Sequence, residues 1–359
     1  MLKVGMLTSG GDCQSLNATM RGVAKSLYRL YRKDVEIIGF LDGYKGLIHE
    51  KYKIMQESDF SGILTRGGTI IGTSREAFKR IREIEEDGID KVEAMKNTYS
   101  RLGLDCLVVL GGNGSQKTAN LLCQEGLNVI GLPKTIDNDL FGTEMTFGFH
   151  SALEVATKAI DNIHTTAASH GRVFIVELMG NKVGWLTLYA GLAGGADIIL
   201  MPEIPYDINL VANAIKIREE NNKKFSILAV AEGAMSIEDV RLTKKELRIK
   251  RKLSNHPSVA YEIGDKIFGL TGHEIRVTVP GHMQRGGEPS AYDRVLSTRL
   301  GAKAAVMLHN KEFGKMVAIQ GEKIVAVELS DIAAKIKQVD PKSDIIKEAR
   351  LVGISFGDA

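Results

Sequence analysis

The sequence predicts an α/β protein built on largely parallel sheets flanked by helices, and three observations carry that prediction. Short runs rich in Val, Ile and Leu alternate with longer stretches of helical periodicity. Most of the runs are continuous, as expected of strands covered on both faces. They also tend to end in glycine, the mark of a strand turning into a helix. The length, 359 residues, exceeds what one hydrophobic core usually serves, so two domains are expected. Candidate strands are 3–7, 36–40, 106–110, 128–132, 173–178, 198–201, 227–231, 274–279 and 316–320, with a first helix starting near Ala18. No Pro-, Ser- or Gly-rich linker divides the chain, so the domains are joined by crossovers. Residues 236–272 are polar and charged without a clear strand, and read as helices or an excursion at the surface.

Composition excludes several classes. Hydrophobic residues at 44% and charged residues at 25% are those of a soluble globular protein, and the longest apolar runs are too short for a bilayer. The amino terminus lacks a secretory h-region, which predicts a cytoplasmic protein without membrane partners. Cys13, Cys106 and Cys123 form neither a metal-ligand spacing nor an even disulfide set, so each is expected as a small buried apolar group. A net charge of +3 is too small to argue for nucleic acid. The basic run 244–252 is interrupted by Glu246, Leu247 and Ile249 and has no aromatics, so it reads as a solvated helix face.

The 38 glycines cluster at the ends of candidate strands, where ligands of open α/β sheets bind. The first strand runs into Thr8-Ser9-Gly10-Gly11-Asp12 ahead of a helix, a turn whose amides suit an anion. The strand ending at Leu110 continues as Gly111-Gly112-Asn113-Gly114-Ser115-Gln116-Lys117-Thr118. This nearly spells a Walker A loop, but Gln116 stands where that turn needs its last glycine, so the P-loop is rejected and a phosphate cradle kept. Pro133-Lys134-Thr135-Ile136-Asp137-Asn138-Asp139 sets two carboxylates two residues apart beside a lysine and a hydroxyl. That set suits phosphoryl transfer: one carboxylate takes the proton of an attacking hydroxyl and the other holds magnesium, directly or through water. His282 and Arg285, with Arg276 on the preceding strand, suit a sugar phosphate.

Together these loops resemble the phosphofructokinase family over most of the chain. The pieces carrying the resemblance include Thr8 to Asn17, Asp42-Gly43-Tyr44, Arg66 to Thr69, Gly72 to Arg75, Gly111 to Ser115 and Pro133 to Asp139. Ser169 to Arg172, Glu177 to Gly180, Gly194 to Asp197, Ala231-Glu232-Gly233 and Gly281 to Gly287 complete the set. The resemblance implies two similar domains with the active site in the cleft between them. A phosphoryl-donor domain is expected over 1–148 and about 285–338, and a sugar-phosphate domain over 149–284 and about 339–359. It also implies transfer from ATP to the 1-hydroxyl of fructose 6-phosphate with Mg²⁺, in a homotetramer or dimer. Asp137 would be the base, with Thr135 and Asp139 as its catalytic neighbours. Gly11, Tyr44, Arg75, Gly112, Asn113, Gly114, Ser115 and Lys134 would line the donor site, with Asp139 and Asn113 toward the metal. Met179, Gly180, Asn181, Glu232, His282 and Arg285 would hold the acceptor, together with Thr135 and Asp137. Arg172 and Arg276 would reach in from a neighbouring subunit.

Two positions depart from the family pattern. Asn113 stands where ATP-dependent members carry an acid, and Asn181 where they carry arginine, so one charge of each sign is absent. In the family Gly114 is typical of ATP users and Lys134 of pyrophosphate users, which makes ATP the expected donor and leaves pyrophosphate, or another ketose phosphate as acceptor, as the first alternative, and a catalytically weak nucleotide or sugar-phosphate sensor, suggested by Asn113 and Asn181, as the second.

Overall fold

The computed structural model describes residues 1–84 and 88–358. In chain order its strands are β1 Leu2–Ser9, β2 Val35–Phe40, β3 Tyr52–Met55, β4 Cys106–Gly111, β5 Val129–Pro133, β6 Val173–Leu178, β7 Ile198–Leu200, β8 Ser226–Ala231, β9 Ile275–Thr278, β10 Lys315–Gln320 and β11 Lys323–Glu328. Its helices are α1 Leu16–Tyr31, α2 Tyr44–Ile48, α3 Lys91–Leu102, α4 Asn113–Gln124, α5 Phe149–His170, α6 Trp185–Ala193, α7 Ile208–Glu220, α8 Lys244–Leu253, α9 Val259–Thr271, α10 Ala291–His309, α11 Leu329–Ile332 and α12 Asp344–Leu351. The chain divides into two compact units, Met1–Ser151 with Arg285–Lys337, and Ala152–Gln284 with Gln338–Ala359.

The first unit is built on a seven-stranded sheet in the order β11-β10-β5-β4-β1-β2-β3. Its central strands are parallel, and β4 is buried along its whole length, as its unbroken apolar sequence requires. The two edges, β3 and β11, run antiparallel to their neighbours. Neither is among the strands the sequence predicts: β3 is four residues long with one buried, and β11 is half-exposed between a lysine and a glutamate. The β10–β11 hairpin nevertheless has a local signal, a two-residue turn at Gly321-Glu322 with Gly321 in the left-handed region at φ 56°. Leu7, Phe40, Leu107, Val109 and Met316 lie in one apolar core of this unit.

The second unit has a four-stranded, wholly parallel sheet in the order β7-β8-β6-β9. Val173, Ile175, Leu228, Val230 and Ile263 form its core. Residues 236–272 fold mainly as helices, chiefly α8 and α9. No residue of α8 is buried, so its basic run is a solvated face capped by a reciprocal Thr243–Glu246 box. Cys13 and Cys106 are buried, whereas Cys123, expected to be buried, is only partly so because it lies near the end of α4. The first helix begins at Leu16, ahead of the expected Ala18, and most strand ends move by a residue or two. Among the described residues, no helix is long and apolar enough to cross a membrane.

Candidate active site

The chain enters the first sheet at β1, adds β2 and β3 on one side, and then places β4 and β5 on the other. Order therefore reverses between β1 and β4, the kind of point at whose carboxyl ends open α/β sheets bind ligands. The glycine loops lie side by side there, with Ser9 paired to Gly111 and Gly111 paired to Pro133.

The loop after β1 is tied on one side to residues 72–74. Gly10 N donates to Ser74 O at 2.9 Å, Thr73 Oγ1 to Gly10 O at 2.8 Å and Thr8 Oγ1 to Gly72 O at 2.6 Å. Arg75 follows and is exposed. On the other side Lys134 Nζ donates to Gly11 O in a short bond that joins the β1 and β5 loops. Lys134 is buried, which pushes its ammonium pKa down. Arg285 pushes the same way, while Cys13 and the carboxylates of Asp137 and Asp12 oppose it. Arg285 also belongs to this unit: its Nη1 donates to Asp12 O at 2.8 Å, and its buried Nε has no partner among the described residues.

After β4 the chain passes through Gly112 directly into α4, leaving no room for a Walker turn. Gln116, in the first turn, donates through Nε2 to Gly111 O and Leu132 O, both at 2.9 Å, and so fixes the ends of β4 and β5. Tyr44 is buried, and its hydroxyl donates to Ser115 O at 2.8 Å, so it positions the loop by its bond more than by surface contact. Gly112 is partly exposed, and Gly114 is exposed with no heavy atom within 4 Å of where a Cβ would stand. Asn113 Nδ2 donates to Lys335 O at 3.0 Å.

In the segment after β5 burial alternates from residue to residue although the chain bends at Asn138, which has φ 52°. Thr135, Asp137 and Asp139 are partly exposed, while Ile136, Asn138 and Leu140 are buried. Solvent therefore reaches Thr135, Asp137 and Asp139 alike. Thr135 Oγ1 accepts the Asp137 amide at 3.0 Å. Asn138, at φ 52°, accepts through Oδ1 from Lys337 Nζ at 2.8 Å and from Thr146 N at 3.1 Å. Burial pushes the Lys337 ammonium down to about 8, with the Asp139 and Glu144 carboxylates pulling the other way. Gln116 and Lys337 were not among the expected site residues. A polar side chain inside a glycine-rich loop could have flagged Gln116; nothing in the sequence marks Lys337.

In the second unit, Met179-Gly180-Asn181 follows β6 and Glu232-Gly233 follows its neighbour β8. The two loops are joined by Glu232 N to Leu178 O at 2.8 Å and Gly233 N to Gly180 O at 3.2 Å. Gln284, buried and unforeseen, accepts the Met179 amide at 3.2 Å through Oε1, next to the exposed His282. Arg172 and Arg276 are not brought to this place. Arg276 pairs with Phe174 at the opposite end of β6, four residues from Leu178, or roughly 13 Å at ~3.3 Å per residue. There both arginines hold one carboxylate, Arg172 Nε donating to Glu274 Oε2 at 2.5 Å and Arg276 Nη2 to Glu274 Oε1.

Comparison with known proteins gives one family. The family model described as Phosphofructokinase matches residues 3–308. Among curated relatives, the ATP-dependent 6-phosphofructokinase of Spirochaeta thermophila is 53% identical over 99% of this chain and 97% of its own length. ATP-dependent 6-phosphofructokinase 3 of Bacteroides thetaiotaomicron is 42% identical over 99% of this chain and 100% of its own. Among solved structures, phosphofructokinase from Saccharomyces cerevisiae superimposes with a TM-score of 0.78 at 32% identity. The match covers 92% of this chain and 45% of that longer one. The pyrophosphate-dependent phosphofructokinase from Nitrosospira multiformis shares the fold, with a TM-score of 0.81 at 19% identity over 96% of this chain and 87% of that one.

Proposed function

The chain belongs to the phosphofructokinase family, and on that premise we propose that it transfers a phosphoryl group from ATP to the 1-hydroxyl of fructose 6-phosphate, giving fructose 1,6-bisphosphate. The observation that carries this reading is that Thr135, Asp137 and Asp139 are all partly exposed, between buried neighbours, beside two glycine loops at the point where strand order reverses. Asp137 takes the proton of the attacking hydroxyl, and Thr135 holds the Asp137 backbone through its side-chain oxygen. Gly11, Gly112, Asn113, Gly114 and Ser115 cradle the donor phosphates, and Arg75 stands exposed at the edge of the same loops.

Among the described residues, no group of three or more His, Cys, Asp or Glu side chains could hold a metal alone. Mg²⁺ keeps several waters and is held by one or two carboxylates plus substrate phosphate. Asp139 is the carboxylate that would hold it, with Asn113 as a neutral neighbour; the ion would neutralise charge on the phosphoryl oxygens. Glu232, Met179, Gly180, Asn181, His282 and Arg285 serve the acceptor. The distance of Arg172 and Arg276 from the Glu232 loop in one chain supports their acting on the site of a neighbouring copy, in a tetramer or dimer.

ATP is favoured as donor by the curated relatives at high identity and by the open space around Gly114. The pyrophosphate reading rests on Lys134, whose ammonium is buried and already donates to Gly11 O. A coupled assay with Mg²⁺, fructose 6-phosphate and either donor tests both points. With ATP, Asp137→Asn is expected to lower kcat by about 10²- to 10⁴-fold with KM nearly unchanged. Equal rates for the wild type and this variant would remove Asp137 as base, and turnover with pyrophosphate alone would overturn the donor.

A further inference from the structure

We propose that Lys337 is a positioning residue for phosphoryl transfer: its ammonium clamps Asn138, the residue between the two carboxylates, and so holds Asp137 and Asp139 in register with the donor loops. The inference rests on the functional reading above and deepens it. Asn138 sits in the left-handed region, at φ 52°, which asparagine enters more readily than other non-glycine residues and in which its side-chain bonds hold it. Its side chain is buried and bonded through both its nitrogen and its oxygen. Nδ2 donates to Glu144 O at 3.3 Å, and Oδ1 accepts from Thr146 N and from Lys337 Nζ.

An ammonium has three donors, and all those of Lys337 are committed to this turn. Besides Asn138 Oδ1 they reach Thr143 O at 3.0 Å and Glu144 O at 2.7 Å. The backbone of the same segment completes the contact. Lys337 N donates to Asp139 O at 2.9 Å, and Ile336 bridges to Leu140 in antiparallel fashion. One residue further back, Lys335 O accepts the Asn113 amide from the donor loop. The segment 335–337 thus holds the carboxylate turn on one side and the phosphate loop on the other. Its side-chain contribution to the turn is Lys337. A methylene chain with no charge would fill the same space without desolvating an ammonium, so packing alone does not account for lysine here.

The test compares Lys337→Met, Lys337→Arg, Asn138→Gly and the double variant Asn138→Gly with Lys337→Met, using wild type alongside. Steady-state rates with fructose 6-phosphate and ATP are joined by amide exchange of Thr146 without ligands. Lys337→Met is expected to lower kcat about 10- to 100-fold, the scale of an ångström's misplacement, with both KM values within about 2-fold. Lys337→Arg should recover most of the rate, and Thr146 exchange should quicken in Lys337→Met. Because Lys337 acts through Asn138, adding Lys337→Met to Asn138→Gly should cost less than about 3-fold more. A wild-type kcat in Lys337→Met, fold-losses that simply multiply in the double variant, or unchanged Thr146 exchange would each overturn the proposal. Should Lys337→Met not fold, Asn138→Gly must show the same kcat loss on its own. An inactive wild type would instead remove the functional reading, and the exchange measurement would still decide whether the clamp exists.

Discussion

Gly233→Ala is the sharpest test of the acceptor loops. A Cβ at this position would stand 2.0 Å from Asn181 O and 2.6 Å from Asn181 C, both backbone atoms. Ordinary contact needs about 3.4 Å or more, so the β6 and β8 loops must separate by roughly 1.4 Å. No rotamer change can absorb that. The loops are joined at this point by Gly233 N to Gly180 O and Glu232 N to Leu178 O, so the shift falls on Met179, Gly180 and Glu232 together. Overpacking of this kind costs about 1–3 kcal/mol of stability, and an ångström's displacement of substrate-positioning groups costs about 10²-fold in rate. The expected result is a folded protein whose kcat/KM for the sugar phosphate, at saturating ATP, falls about 100-fold or more. KM for ATP should stay near its wild-type value, because the donor loops belong to the other unit. The measurement is a coupled assay with the sugar phosphate varied, paired with thermal unfolding. A stable variant with wild-type kcat/KM would refute the assignment of these loops to the acceptor.

Two further expectations concern the rest of the molecule. Burial pushes the Cys13 thiol up to about 12 and that of half-buried Cys123 to about 11, and raises Cys106 well above the ordinary 9.0. In the native protein at pH 8 a thiol reagent should label at most Cys123, and slowly, and denaturant should release all three. The folded state also keeps protons that the unfolded chain gives up, so the stability these thiols contribute is present below pH 9 and declines as pH rises above it. Rapid native labelling of Cys13 would contradict the burial. Thr243→Ala removes one half of the α8 capping box, at a cost of about 1 kcal/mol. Because α8 buries no residue, amide exchange should quicken within 244–253 while the thermal midpoint stays put; a clear fall in the midpoint would mean that α8 braces the second unit.

What the sequence made legible follows from periodicity and backbone chemistry. Buried parallel strands announce themselves as continuous apolar runs, so β4, β6 and β8 were readable almost to the residue. Edge strands do so less: β3 carries one buried residue in four, and β11 buries none, although its apolar run at 324–327 is as continuous as that of a buried strand. The site divides in the same way. Glycine pairs after strands and a repeated Asp at period two are local signals, and they marked the loops at residues 8–17, 111–115 and 133–139. Lys337 is tied to Asn138 across nearly two hundred residues, and Gln284 to Met179 across more than a hundred. Contacts of that span leave no local pattern.

Arg172 and Arg276 set a different limit, because the family resemblance names them as a pair while their usefulness depends on where the sheet carries them. Two arginines on one carboxylate, Glu274, form the fork that also suits a phosphate. They stand at the amino end of β6, whereas the loops that would hold a sugar gather at its carboxyl end. A rigid strand cannot bring its two ends together. If these arginines bind the acceptor at all, it is the acceptor of another copy, and Glu274 is the group the phosphate must displace. Catalysis by dilute, dissociated chains would therefore lack two cations, and rate per chain should rise with protein concentration in step with assembly.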